Sequence, residues 1–228
     1  MEIFYAILVN VVALIICYFI GSVNVSIIFS RKKRNEDIRN KGSFNAGSTN
    51  ALRVYGSKVA LPIFIFDILK AYIAIIIVWL VHHYTKDSVL AFSFLIPQAA
   101  GLGIIIGHIW PIFFNFKGGK GAASLLGLFF GFNLVIVLIG IIIFVLLVYF
   151  TRYISLGSIV VPFILIALGF IPWFSIGHIS WFNWKEIEYL YWLNPLFILI
   201  SHIFVVYSHR SNIKRLINKN ENKFKFKK

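Results

Sequence analysis

Residues 107–124 read GHIWPIFFNFKGGKGAAS and carry the densest chemistry in the chain. A His-x-x-Pro break ends one apolar segment, and a glycine-rich turn with Lys117 and Lys120 opens the next. Gly118, Gly119 and Gly121 have no Cβ, so consecutive backbone N–H groups can close on a bound group and form an anion-binding concavity beside the lysines. A phosphate is the guest such a loop suits. A solvated connection between two helices has the same composition, and the loop by itself fits either reading. It is not a Walker A motif: Gly121 follows Lys120 where that motif needs a Ser or Thr for magnesium, and no strand pattern precedes it.

Three further polar patches offer matching chemistry. Residues 36–58 read EDIRNKGSFNAGSTNALRVYGSK. Ser43, Asn45, Ser48, Thr49 and Asn50 supply hydroxyl and amide groups, and Arg53 supplies a planar fork of donors suited to phosphate. Short polar residues with glycine also make ordinary turns, but an ordinary loop rarely needs so many of them, and a binding loop is the favoured reading. Residues 151–158, TRYISLGS, add Ser155 and Ser158, and the start of the C-terminal tail adds His209 and Asn212. Arginine, lysine and histidine among serine and asparagine donors suit one or two phosphate-bearing substrates. The parts of other catalysts are missing: no Cys/His metal cluster, no paired carboxylates beside these patches and no G-x-S-x-G elbow, so neither metal nor cofactor is expected. His82 and Asp87 form the His-x-x-x-x-Asp pattern of another acyltransferase class, but they fall in a predicted external loop away from every basic patch, and the match reads as coincidence.

The elements that must hold these residues are membrane helices. The chain is 60% hydrophobic with a mean hydropathy of +0.87, and its apolar runs exceed what a soluble domain needs. No polar stretch is long enough to bury a core of its own, so residues 1–228 read as a single integral membrane domain with a basic tail at 209–228. The net charge of +14 lies in membrane-flanking segments, which is the positive-inside pattern and gives no reason to expect a nucleic-acid partner. The lysine and phenylalanine alternation of residues 223–228 suits either anionic headgroups or a solvated tail. Cys17, the only cysteine, excludes an internal disulfide and reads as a lipid- or helix-facing residue. Glu2 in place of a basic start, with no cleavage site after the apolar run, predicts that the first segment is kept as a membrane helix.

The predicted spans are residues 3–29, 59–80 and 89–106, then 122–150, then 159–174 and 191–206. The cluster Arg31-Lys32-Lys33-Arg34 places the N-terminus outside. Were residues 122–150 one helix, the lysine-rich tail would also lie outside, against that rule. A hairpin at Gly131-Phe132-Asn133, with arms of about 20 to 25 Å that do not fully cross the ~30 Å core, repairs the count. The expected fold is therefore an all-α polytopic membrane protein of seven helical segments. Its C-terminus is cytoplasmic and its four polar patches gather on the cytoplasmic face. The loop with Trp181, Trp184, Lys185, Glu186 and Glu188 reads as an external aromatic belt. In the second span Asp67 lies roughly 13 Å along the helix, where a bare charge is costly, and shares a face with Lys70. The two can pair with each other or with a neighbouring helix, and packing is at least as good an explanation as chemistry.

EDIRNKGSFNAGSTNALRVYG, GHIWPIFFNFKGGKGAAS, TRYISLGS and HRSNIKRLINKNENKF occur in this order, with Gly21-Ser22-Val23-Asn24 and Asp67-Ile68-Leu69-Lys70 before and between them. Together they resemble the motif set of the bacterial membrane acyl-phosphate:glycerol-3-phosphate acyltransferase family over nearly the whole chain. Two positions depart from it: Phe44 stands where the family typically has glycine, and Ser48 where alanine is usual. The resemblance implies a seven-helix enzyme of the bacterial plasma membrane that moves a fatty acyl group from acyl phosphate to the sn-1 hydroxyl of glycerol 3-phosphate. Lysophosphatidic acid and phosphate are the implied products, at the first step of phospholipid synthesis, with a contact to the acyl-phosphate-forming enzyme. By position it implies phosphate binding by Ser43 and Arg53, the Lys-Gly motif at Lys117, Gly118, Gly119 and Lys120, Ser155 or Ser158 in the third motif, and His209 and Asn212 as polar partners.

The chemistry is consistent with that assignment. An acyl phosphate is a mixed anhydride with a good leaving group, so positioning two anions and stabilising an oxyanion suffice. Direct attack by the glycerol hydroxyl is expected, with Arg53 and one lysine clamping phosphates and Ser43, Ser155 and Asn212 orienting. The proton leaves to His209 or to the substrate phosphate, whose second pKa is about 6. A transporter for a phosphorylated solute or lipid, with Asp67 and Lys70 as coupling groups, is the alternative. It fits less well, because the polar groups crowd one face and no internal repeat is present.

Overall fold

A computed structural model describes residues 1–176 and 190–224, and among these every regular element is helical. The external loop at 181–188 and the tail end at 225–228 lie outside the described residues. The first apolar run is not one helix. α1 (Glu2–Gly21) stops at Ser22 and α2 (Val25–Arg34) restarts after it, because Asn24 turns out of helical conformation and its Oδ1 accepts the Ile27 N–H at 3.1 Å, an N-cap. A 3₁₀ turn at Ile38–Asn40 and α3 (Ser48–Tyr55) fold the polar segment, and Gly56, with φ +81°, links it to α4 (Ser57–Thr85). That helix outruns its predicted end by five residues. His82 is therefore buried inside it, its Nδ1–H donating to the Phe92 carbonyl at 3.0 Å.

The third helix was expected from residue 89, yet α5 (Pro97–Ile109) begins later, since Pro97 is suited to a first helical turn and residues Leu90–Phe94 make a 3₁₀ turn. The break in 122–150 falls where expected, between α6 (Ala122–Phe130) and α7 (Leu134–Thr151), with Asn133 Oδ1 capping Ile136 N at 3.0 Å. Its arms are unequal, 9 and 18 residues, not the similar pair expected; at ~1.5 Å per residue α7 spans roughly 27 Å. α8 (Ile154–Gly169) starts five residues before its predicted span. Ser155 and Ser158 therefore sit on its opening turns, and Arg152 (φ +65°) with Tyr153 makes the connection. α9 (Pro172–Ile176), α10 (Leu193–Ser208) and α11 (Arg210–Ile217) complete the described chain.

Among the described residues, Glu2–Arg34, Ser57–Thr85, Pro97–Phe114 and Leu134–Thr151 are long and apolar enough to cross a bilayer, while α8 and α10 are shorter apolar helices. α5 is the axis of the bundle, buried on nearly every side and touched by α1, α4, α6 and α10. Its Gly103 and Gly107 form a small-xxx-small face that lets α1 approach. A Cβ at either would lie 2.3 Å from the Leu14 carbonyl oxygen or 2.2 Å from that of Tyr18. Cys17 faces this contact and is buried, whereas Ile3, Ile7, Val11 and Ile15 on the outer face of α1 are exposed, as a lipid-facing surface requires.

The polar interior is the opposite of a soluble core. Asp67 and Lys70 of α4 pair at 2.9 Å, and Lys70 Nζ also lies 2.9 Å from His108 Nδ1 on α5 and 3.3 Å from the carbonyl oxygens of Gly21 and Val23. Both pairing routes expected from the sequence are used at once. The broken end of α1, the middle of α4 and the end of α5 are thereby fastened at one ammonium. Lys70→Met leaves the Asp67 charge buried without its partner, and we expect a loss of about 3–5 kcal/mol in stability. Thermal melting in detergent checks this, and Asp67→Leu/Lys70→Met should recover most of the difference.

Candidate functional site

A cavity of about 80 Å³ opens where the first polar loop, the Lys-Gly loop, the start of α8 and the start of α11 converge. Ser43, Asn45, Asn50, Arg53, Lys120, Ser155, Ser158, His209 and Asn212 all line it. Four segments separated by as much as 169 residues of chain, from Ser43 to Asn212, thus meet only in the tertiary fold.

The first loop is built around one amide. Asn50 Oδ1 accepts from the Ser43 N–H at 2.7 Å and its hydroxyl at 3.1 Å, while Nδ2 donates to the carbonyls of Ile38, Lys41 and Asn45. Asn50 is therefore spent on shaping the loop and has little left for a ligand. Asn45 likewise turns the backbone, its Oδ1 accepting from Gly47 N at 2.9 Å. Phe44 adopts φ +57° with its ring exposed, in the left-handed region where glycine has no Cβ strain. Arg53 on α3 is exposed at the mouth, and among the described residues no group hydrogen-bonds its guanidinium.

The Lys-Gly loop differs from its sequence-based picture. The Gly118 and Gly119 N–H groups donate to the carbonyls of Ile109 and His108 at 3.1 and 3.0 Å, so they fold the loop back on α5 and do not form an open anion nest. The missing Cβ atoms serve close packing: a Cβ on Gly118 would lie 2.1 Å from the His108 carbonyl oxygen. Lys117 and Gly118 line a second cavity, of about 470 Å³, with Asp37, Arg39 and Phe44, and Arg39 there is held by Asp37 and by the Phe114 and Lys117 carbonyls. Lys120 is the lysine at the first cavity.

Lys120 is fixed from the far end of the chain. Its Nζ donates to Asn212 Oδ1, and its carbonyl accepts from Ser208 Oγ at 2.9 Å. Asn212 Nδ2 donates in turn to Glu221 Oε1 at 2.8 Å, and Arg215 Nε to Glu221 Oε2 at 2.8 Å. Glu221 received no role from the sequence. The signal was present, since it is the one carboxylate in residues 209–228. Burial, reinforced by Arg215 and Arg53 and opposed by Glu221, lowers the Lys120 pKa to about 8.

Ser155 and Ser158 separate here. Ser158 Oγ donates to the Ile154 carbonyl at 3.1 Å, whereas the buried Ser155 Oγ has no partner among the described residues. Such a hydroxyl, lining the cavity with both donor and acceptor capacity uncommitted, is free to meet a bound group. His209 donates Nδ1–H to the Val205 carbonyl at 2.8 Å, which leaves Nε2 as the acceptor, and burial pushes its pKa down to about 4. His108 and Asp67, absent from the expected site, form part of the lining as well.

An apolar helical scaffold whose cations and hydroxyls meet in one small cavity is the make-up of an integral membrane protein with a site suited to an anion. A sequence model described as "Glycerol-3-phosphate acyltransferase" matches residues 11–219. The glycerol-3-phosphate acyltransferase of Mycoplasmopsis agalactiae is 42% identical, covering 100% of this chain and 99% of that protein. That of Mycoplasmopsis pulmonis is 41% identical over 99% and 97%. The crystal structure of PlsY (YgiH), an integral membrane glycerol 3-phosphate acyltransferase, in its glycerol 3-phosphate form aligns with a TM-score of 0.74 at 28% identity, covering 95% of this chain and 96% of that one. Its lysophosphatidic acid form aligns at 0.72 and 26%. The chain belongs to the glycerol-3-phosphate acyltransferase family.

With its pKa at about 8, Lys120 is mostly a cation at pH 7 and loses that charge as the pH rises through 8, so any hold it has on an anion weakens over that range. Calorimetric titration with inorganic phosphate from pH 7 to 9.5 should show affinity falling above about 8, and Lys120→Arg should flatten that fall.

Proposed function

We propose that the chain transfers a fatty acyl group from acyl phosphate to the sn-1 hydroxyl of glycerol 3-phosphate, releasing lysophosphatidic acid and phosphate for phospholipid synthesis. Family membership supports the acceptor. The observation that carries the site assignment is the unpartnered Ser155 hydroxyl in a cavity edged by Lys120 and Arg53. Cations to hold two phosphates line the cavity with that hydroxyl, and a mixed anhydride needs no stronger nucleophile than the acceptor hydroxyl.

In this reading Lys120 and Arg53 clamp the substrate phosphates, Ser43 and Ser155 orient them, and Asn212 positions Lys120 through its carbonyl oxygen. Lys117, with Gly118, lies in the second cavity and assists approach of an anion and not the reaction itself. The acceptor oxygen attacks the acyl carbonyl, the tetrahedral oxyanion collapses, and the C–O bond to phosphate breaks. The hydroxyl proton has two acceptors within the scheme. With the His209 pKa at about 4 and the second phosphate pKa at about 6, the substrate's own phosphate is the stronger base.

The whole chain acts as one acyltransferase unit, residues 1–228, in the bacterial plasma membrane. Seven helical segments, an external N-terminus and the site on the cytoplasmic face, beside the enzyme that forms acyl phosphate, complete the proposal; the Arg31–Arg34 cluster and the basic tail support this orientation.

Purified protein in detergent, given palmitoyl phosphate and glycerol 3-phosphate without CoA, carrier protein or metal, should form lysophosphatidic acid. Lys120→Ala should abolish it. His209→Ala should reduce turnover by well under a hundredfold and leave the pH profile in place, whereas a hundredfold loss with a lost pH limb would make His209 the base. Transfer only from acyl-CoA would overturn the donor. Passage of glycerol 3-phosphate into vesicles with no acyl transfer would favour a transporter.

A further inference from the structure

Asp67 and His108 line the inner side of the cavity, and the chemistry above uses neither. The nearest contact of His108 favours one tautomer. Lys70 Nζ sits 2.9 Å from His108 Nδ1, and an ammonium can only donate, so Nδ1 presents its lone pair. Asp67 Oδ1 is 2.9 Å from Lys70 and, at 3.3 Å, farther from Nδ1, so the carboxylate pairs first with the lysine and the ammonium is the nearer group at Nδ1. The neutral ring then carries its hydrogen on Nε2.

Nε2–H has no acceptor among the described residues, although His108 is almost wholly buried. Its surroundings leave it open on one side by a specific absence. A Cβ on Gly119 would lie 2.1 Å from Nε2, so any other residue there would cover this edge of the ring. The ring is held from behind as well: Lys70 is fastened to the Gly21 and Val23 carbonyls, and Gly119 N donates to the His108 carbonyl at 3.0 Å. A buried donor with a fixed tautomer, a fixed ring and an open edge at a cavity wall is built to meet an oxygen that is or becomes negative.

We propose that His108 Nε2–H donates a hydrogen bond to a substrate oxygen in this cavity, with Lys70 and Asp67 as positioning residues that hold the tautomer. This rests on the acyl-transfer reading. The oxygen belongs either to the acyl carbonyl, where charge develops in the transition state, or to a substrate phosphate, where it is already present.

Two substitutions oppose the donor role to a packing role. His108→Gln places an N–H₂ near the Nε2 position and gives up the acceptor for Lys70. His108→Asn keeps a short acceptor for Lys70 and has no atom at the Nε2 position. A donor predicts that Gln retains kcat/KM within about tenfold and that Asn loses about a hundredfold or more. A merely structural histidine predicts the reverse order, and that order, or equal loss in both, overturns the proposal. Loss confined to kcat assigns the carbonyl oxygen, and a raised KM at unchanged kcat assigns a phosphate. The ring ¹⁵N shifts of His108 in the wild-type protein need no variant, and a protonated Nδ1 there would overturn it too. An inactive wild-type protein would count against the acyl-transfer reading; an active one with Asn above Gln would count against His108 alone.

Discussion

A charged pair inside a membrane bundle cannot be left half made, and the Asp67–Lys70–His108 cluster shows how much structure that requirement organises. Each unpaired charge at that depth would cost several kcal/mol, so α4 must meet α5 at His108 and the broken end of α1 at Gly21 and Val23. The helices can come that close only because Gly103 and Gly107 of α5 and Gly127 of α6 have no Cβ: one on Gly127 would lie 2.3 Å from the Ile68 carbonyl oxygen, beside Asp67 in α4. Small residues permit the approach, and the ionic contact makes it obligatory.

The Lys-Gly loop inherits its position from that cluster. Its glycine amides are tied to the carbonyls of His108 and Ile109, and the loop therefore follows the end of α5. Lys120 is then delivered to a place where the tail can grip it through Ser208 and Asn212. The same segment supplies Glu221, whose carboxylate takes up Asn212 and Arg215 and keeps the cationic rim from being purely repulsive. The site is in this sense a joint between the middle of the chain and its end, and its polar groups are mostly engaged with one another. Ser155, the Arg53 guanidinium and His108 Nε2 are exceptions among the described residues.

Backbone strain appears at the rim. Phe44 holds a left-handed conformation that costs about 1–2 kcal/mol for a residue with a Cβ. The fivefold-bonded Asn50 beside it explains how the loop sustains this, since a single buried amide satisfies the backbone of Ser43, Ile38, Lys41 and Asn45 at once.

The residues by themselves determined the membrane class, the positions of the polar patches and the break at Gly131–Asn133. Those features follow from composition, from charge beside apolar runs and from local turn chemistry, which are properties of neighbouring residues. Capping also belongs to this local level, yet the Asn24 cap went unread because the apolar run around it continued without a charge, and a window of hydrophobicity does not register a single amide. What only the tertiary structure decided are the contacts between distant segments. The glycine amides turned inward because α5 offered carbonyls at that place, Lys120 and not Lys117 reached the cavity, and Ser155 kept a free hydroxyl while Ser158 spent its own. Glu221 and His108 joined the site for the same reason: whether a polar group is free or engaged depends on which partner the folded chain brings within about 3 Å of it, and sequence spacing carries no such distance.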